Sequence, residues 1–148
     1  MSRTVIALGT NIGERNKNLE MALSAIEKLQ RINILSRSSV YETKPWGVVN
    51  QPDFLNMVIL VETNMPPHML LGELLGIESA MGRIRTLKYG PRIIDLDIIS
   101  YDNIRIHDEF LTLPHPLATS RDFVMKPLSD IDTNGKIKEF LIESGSSI

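Results

Sequence analysis

An α+β fold follows from three features of the chain. Apolar runs of strand length recur at residues 4–8, 54–62 and 94–101. Two segments between them carry apolar residues at helical spacing, 19, 22, 23, 26 and 29 in the first and 70, 71, 74, 75 and 77 in the second. Gly9, Gly47, Pro66, Pro67, Gly82 and Gly90 fall at the joins, although Gly72 and Gly76 lie inside the second helical segment. The resulting order βαββαβ predicts a ferredoxin-like sandwich, an antiparallel sheet with helices packed against it.

Each element has its own signal. Residues 4–8 form a buried strand that ends at Gly9, and residues 16–29 an amphipathic helix. Residues 32–43 read as a second strand, although Ser36, Arg37, Ser38 and Ser39 interrupt its apolar pattern. Two prolines and a glycine make 44–52 a loop. Residues 54–62 give the strongest strand. Pro66 and Pro67 open the second helix, as proline does at a first helical position, and Gly82 closes it. A polar loop over 83–91 leads to a strand reaching Tyr101. A turn at Tyr101-Asp102-Asn103 then precedes a strand pair at 104–106 and 111–113, and a third helix runs from Ser120 toward Leu128. From Asp132 onward the chain reads as a polar tail, with Phe140, Leu141 and Ile142 its apolar residues.

Composition narrows the class. The 148 residues are 43% hydrophobic and 23% charged, which suits a single domain over 1–148 with one core. Without cysteine there is neither a disulfide nor a thiolate metal site. No apolar run approaches the ~20 residues of a membrane span, and the N-terminus lacks signal-peptide character, so a cytoplasmic protein is expected. A net charge of −2 exerts no general pull on nucleic acid or acidic lipid. Arg83, Arg85, Lys88 and Arg92 nevertheless fall within ten positions, a cluster sized for a small polyanion.

The most informative stretch is residues 88–99. Asp95 and Asp97 alternate with Ile94, Leu96 and Ile98, so on a strand both acids share one face, about 7 Å apart at ~3.3 Å per residue. Like charges so placed repel, and the usual compensator is a hard divalent cation, commonly magnesium with a nucleotide phosphate. The alternative is a solvent-facing pair neutralised by nearby arginine. Glu78 lies on the apolar stripe of the second helix, either bridged to Arg83 or Arg85 or accepting a hydrogen bond from a ligand. Phe54 and Asn56 share a strand face and offer a ring and a carboxamide to a flat heterocycle, or serve the core. Gly9-Thr10-Asn11-Ile12-Gly13 lacks phosphate-loop spacing and reads as turn chemistry. His115 between two prolines has a fixed direction that suits a phosphate contact or a surface turn. No GxSxG, HExxH or GxGxxG is present.

The residues carry a family resemblance beyond this chemistry. GPRIIDLDII closely resembles the signature of the 6-hydroxymethyl-7,8-dihydropterin pyrophosphokinase family. VIALGTNIGER, SSVYETKPWG, QPDFLNMVILVET and LTLPHPLATSRDFVMKPL extend the likeness along nearly the whole chain. The resemblance implies transfer of pyrophosphate from ATP to the pterin hydroxymethyl group, releasing AMP, in folate biosynthesis. It implies two magnesium ions on Asp95 and Asp97, with Arg83 and Arg92 completing the catalytic set. It places Glu78, Arg83, Arg85, Lys88, Arg92, Ile98, His115 and Arg121 about ATP, Ile98 packing on the adenine. It gives the pterin Phe54 and Phe123 as stacking rings, Asn56 as the carboxamide, and Thr43 and Trp46 beside a closing loop. Loops near 44–52 and 83–91 are implied to close over substrates. Phe110 and Leu117 depart from arginine in some members, and Lys88-Tyr89 replaces a common Arg-Trp, so fewer or weaker phosphate contacts are expected. The expected partners are the two small substrates, with no nucleic acid or membrane, and a monomer is expected although the sequence does not fix the oligomeric state. A catalytically degenerate pterin and ATP binder is the first alternative, and an RNA-binding ferredoxin-like module the second.

Overall fold

The computed structural model describes residues 1–45, 50–83 and 92–146. Its elements are β1 (Ser2–Thr10), α1 (Arg15–Lys28), β2 (Ile32–Arg37), β3 (Tyr41–Thr43), β4 (Phe54–Thr63) and α2 (Pro67–Ala80). They continue with β5 (Asp95–Tyr101), β6 (Ile106–His107), β7 (Thr112–Leu113), α3 (Asp122–Ile131) and α4 (Lys136–Ser146). The main sheet has the order β2-β4-β1-β5, antiparallel throughout, and β3 pairs with β4 beyond the end of β2. This is the α+β ferredoxin-like architecture that the sequence predicts.

Alternation along the strands divides two cores, one on each face of the sheet, where composition predicts one. Ile6, Leu8, Met57, Ile59, Leu96 and Ile98 face α1 and α2, where they meet Leu19, Leu23, Ile26, Leu70 and Leu74. Val5, Val58 and Ile99 face the opposite way and meet Val124 and Leu128 of α3 and Leu141 of α4. The spacing at 19, 22, 23 and 26 is therefore the buried stripe of α1, whereas in α2 Leu70, Leu74 and Ile77 are buried, Leu71 is half-buried and Leu75 is exposed.

Two expectations change. The strand expected over 32–43 is two strands, because Ser38 interrupts it. Its hydroxyl accepts the Val58 N–H at 2.9 Å and donates to the Ser39 carbonyl, while its own N–H donates to the Val58 carbonyl. A side chain thus takes over part of the ladder, and the strand resumes at Tyr41. The tail expected beyond Asp132 holds the helix α4. The Asp132 carboxylate caps its start by accepting the N–H groups of Ile137 and Lys138, and Ile137, Leu141 and Ser144 supply an inward stripe. The expected third helix begins two residues later than Ser120, after a single 3₁₀ turn over Ala118–Ser120, and extends to Ile131. The strand pair of 104–106 with 111–113 is observed as β6 with β7, Ile106 opposite Leu113.

Leu141 is 2% exposed. Leu141→Ala is expected to lower the unfolding free energy by about 2–4 kcal/mol in urea titration, the cost of a core cavity. A loss below ~0.5 kcal/mol, the level of surface substitutions, would mean that α4 contributes no core.

Candidate active site

Register builds the site. Gly9 of β1 pairs with Asn56 of β4 on one side and with Asp95 of β5 on the other, and Ala7 pairs with Asp97. These residues lie on the α3 face of the sheet. A Cβ added at Gly9 would lie 3.0 Å from Asn56 Oδ1, so the absent side chain makes room for the carboxamide. With Ala7 beside it, the central strand forms a low floor between β4 and β5. Above that floor lies a cavity of about 540 Å³ whose walls include Thr43, Phe54, Asn56, Glu78, Arg83, Arg92, Asp95, Asp97, His115, Arg121 and Phe123.

At one end the two aspartates meet a group of cations. Arg92 Nη1 donates to Asp95 Oδ2 at 2.8 Å, and Arg83 Nη1 lies 3.1 Å from Asp95 Oδ1. The same Arg83 nitrogen lies 2.7 Å from Glu78 Oε1, at a side-chain exposure of 7%. Glu78 Oε2 accepts the N–H of Leu96, the residue between the two aspartates, at 2.7 Å. The Glu78 carboxylate therefore fastens α2 to β5 and holds the strand that presents both acids. Burial raises its carboxyl above the ordinary range, against the pull of the Leu96 N–H and Arg83. Of the two readings for Glu78, the ion pair to Arg83 is present, and the carboxylate also lines the cavity.

Asp97 lacks such a partner among the close ion pairs of the described residues. Burial first, then repulsion from Asp95, push its carboxyl up to about 7, against Arg121 and Arg92. His115 moves the other way. Burial and the neighbouring Arg121 push it down to about 4, so the ring is neutral at physiological pH. Its Nδ1 accepts the Leu117 N–H at 3.1 Å, which leaves the proton on Nε2. Any phosphate contact by His115 is then that of a neutral N–H donor.

The other end is aromatic and amide-bearing. Asn56 Nδ2 donates to Thr43 Oγ1 at 2.6 Å, and Phe54 and Phe123 reach the cavity from the start of β4 and from α3. Arg121 lies over the Phe123 ring, 5.3 Å from its centroid, and links the two ends.

Ile98 is the exception among the described residues expected here. It is 4% exposed in the core under α1 and α2, on the sheet face opposite Asp97, and does not line the cavity. The reason is the alternation that gives Asp95 and Asp97 their shared face, since it turns Ile98 away. Trp46, Arg85 and Lys88 lie outside the described residues, as does Tyr89 and most of the two loops implied to close. Phe110 is 75% exposed on the β6–β7 turn and away from the cavity, whereas Leu117 lines it.

Sequence reasoning missed Gly9, Ala7, Lys44, Leu71 and Leu75 as lining residues, and Asn11 as a support. Asn11 is 1% exposed. It exchanges hydrogen bonds with the Arg92 backbone, its Oδ1 accepting the Arg92 N–H at 2.8 Å, while Nδ2 donates to Gln51 Oε1 and the Pro52 carbonyl, both at 2.9 Å. A polar residue directly after a buried strand was the available signal.

The chain was compared with known proteins. The family model described as 7,8-dihydro-6-hydroxymethylpterin-pyrophosphokinase matches residues 5–133. A 2-amino-4-hydroxy-6-hydroxymethyldihydropteridine pyrophosphokinase of Methylorubrum extorquens is 40% identical over 131 residues, covering 88% of this chain and 83% of that protein. The Haemophilus influenzae protein of the same name is 42% identical over 131 residues, with 88% and 82% covered. The mitochondrial folate synthesis bifunctional protein of Pisum sativum is 45% identical over 127 residues, covering 86% of this chain and 24% of that one. In fold, a Plasmodium falciparum HPPK-DHPS crystal structure superposes with a TM-score of 0.71 at 19% identity, over 88% of this chain and 39% of that chain. Together with the paired carboxylates and the aromatic-amide end of the cavity, these matches show that the chain belongs to the 7,8-dihydro-6-hydroxymethylpterin-pyrophosphokinase family.

Proposed function

We propose that the two ends of this cavity hold the two substrates of the family's reaction, and that Asp95 and Asp97 hold magnesium between them. The reaction is transfer of pyrophosphate from ATP to 6-hydroxymethyl-7,8-dihydropterin in folate synthesis. The observation that carries the assignment is the row Asn56, Gly9, Asp95, register partners on three adjacent strands. It sets the carboxamide and the first carboxylate about 10 Å apart on one face, at ~4.8 Å per strand, with a glycine between them.

In this reading Asn56 and Thr43 meet the polar edge of the pterin, while Phe54 and Phe123 stack on its ring. Trp46 joins them on the ground of the resemblance alone. Arg83, Arg92, Arg121 and the neutral His115 meet the triphosphate, together with Arg85 and Lys88, which rest on the resemblance. Phosphoryl transfer asks little covalent chemistry of a protein and depends on positioning and charge stabilisation, which a row of fixed cations supplies. The hydroxymethyl oxygen gives up its proton and bonds to the β-phosphorus, the bond from that phosphorus to the α–β bridging oxygen breaks, and AMP leaves with that oxygen.

The donor set fits a hard divalent cation. It is oxygen only, and the raised Asp97 carboxyl records negative charge in need of a partner. No group of three or more potential ligand side chains occurs among the described residues. That suits magnesium, which is usually held by one or two carboxylates with substrate phosphates and water. Bound there, it would neutralise charge developing on the transferred phosphates. Arg83 and Arg92 compensate Asp95 without it, so their guanidinium groups are already gathered at the phosphate end. We read chain 1–148 as one cytoplasmic domain acting as a monomer. No described helix is long and apolar enough to cross a membrane.

Three outcomes test these assignments. The protein with ATP, magnesium and 6-hydroxymethyl-7,8-dihydropterin should form AMP only when pterin is present, and Asp97→Ala should lower that turnover ~100-fold or more, ~2.7 kcal/mol of barrier. No AMP from folded protein would leave the degenerate binder, and ADP as product would mean cleavage at the γ-phosphate instead of pyrophosphoryl transfer. Phe123→Ala should raise the pterin KM and leave the ATP KM nearly unchanged; equal rises in both would make the ring structural. The third outcome is a stability profile. A carboxyl whose folded pKa is about 7, above an unfolded value near ~4, costs stability progressively as pH rises between the two. In metal-free buffer D97N should therefore match the parent near pH ~4 and exceed it at pH ~8 by about 1 kcal/mol or more, seen as a melting temperature several degrees higher. Equal melting temperatures at the higher pH would mean that Asp97 carries no buried, uncompensated charge.

A further inference from the structure

Thr43 and Phe54 form the last pair of the short β3–β4 ladder, at the point where the chain leaves for residues 44–53 and returns. Both line the cavity. Among the described residues three pairs, Tyr41 with Asn56, Glu42 with Leu55 and Thr43 with Phe54, join the strands. So short a ladder is marginal without side-chain support. Support comes from both faces. On the α3 side the Asp130 carboxylate accepts the Tyr41 hydroxyl and the Ser39 N–H, at 2.9–3.0 Å, which holds the start of β3. On the other side a single nitrogen of Arg15, Nη1, donates to Glu42 Oε2 at 2.6 Å and to the Asp53 carbonyl at 2.9 Å.

The placement of Arg15 is informative. It is the first residue of α1, where the helix dipole disfavours a cation, and α1 has no acidic residue in its first turn. Its two acceptors belong to the residues directly before Thr43 and directly before Phe54. Arg15 does not line the cavity. One guanidinium thus ties together the two strands that leave and re-enter the ladder, one residue short of the site on each.

We propose that Arg15 is a positioning residue for the pterin. By holding Glu42 to Asp53 it keeps Thr43 and Phe54 in register, so that the Thr43 hydroxyl stays bonded to Asn56 and the Phe54 ring stays at the cavity before substrate arrives. The inference rests on the reading of Thr43, Phe54 and Asn56 as the pterin end.

Steady-state kinetics with ATP and 6-hydroxymethyl-7,8-dihydropterin test it on R15A, R15K, E42Q and N56A, each checked for folding by thermal denaturation. R15A should raise the pterin KM about fivefold to tenfold while kcat and the ATP KM stay within about twofold, as expected for loss of one partly exposed ion pair and its shared hydrogen bond. R15K should recover part of the loss, since lysine keeps the charge without the planar fork, and E42Q should shift the pterin KM the same way by less. An unchanged pterin KM in R15A, or an equal rise in the ATP KM, overturns the proposal. Should R15A not fold, unchanged pterin KM values in R15K and E42Q overturn it instead. N56A separates the two ideas. A raised pterin KM in N56A beside an inert R15A removes only the role of Arg15, whereas no shift in either removes the pterin end as well.

Discussion

Repulsion between Asp95 and Asp97 is the constraint around which the rest of this structure is arranged. Asp97 lies beside Asp95 on one strand face, and burial first, then this repulsion, raise its cost of ionisation. The fold answers at Asp95 with Arg83 and Arg92, and leaves Asp97 with a carboxyl pushed up to about 7. Much of the surrounding architecture serves to hold this unfavourable pair in place. Glu78 pins the N–H between the two acids, and Asn11 pins the backbone of Arg92. Both are buried polar side chains whose hydrogen bonds are local to the site.

The same arrangement explains why the cavity has two characters. Because β1 contributes Gly9 and Ala7 at its centre, the neighbouring strands can present larger groups over it from opposite sides. β5 presents charge and β4 presents a carboxamide beside an aromatic ring. Phe123 comes from α3, on the far side of the cavity from the strands, so the site is assembled only when α3 docks on the sheet. The cavity wall at Phe123 and the second core therefore depend on the same helix, and α4 contributes to that core through Leu141.

The departures from family-like arginine have different weights here. Phe110 is exposed and remote from the cavity, so the change there alters the surface. Leu117 lines the cavity, and its N–H sets the tautomer of His115, a contact made by the backbone whatever the side chain. The loss of charge at Leu117 is local to the rim. The cations that meet Asp95 come from other positions and are unaffected by it.

Much of the outline was legible in the chain itself. Period-two alternation through Ile94, Asp95, Leu96, Asp97 and Ile98 put both acids on one face, and helical spacing at Leu70, Leu74, Ile77 and Glu78 turned Glu78 inward, because these periodicities are properties of the local backbone. The same alternation turns the Ile98 side chain into the core on the opposite sheet face. What only the tertiary structure decided concerns partners distant in sequence. Ser38 breaks a strand because Val58 lies beside it, and Asp132 starts α4 because its carboxylate meets N–H groups that a polar tail would leave to water. Gly9 matters because Asn56 occupies the space its side chain would fill, and Arg15 because Glu42 and Asp53 converge on one nitrogen. A single chain read in order carries propensity and period. Register across strands and the docking of α3 and α4 depend on contacts between segments tens of residues apart, and those contacts exist only once the sheet has formed.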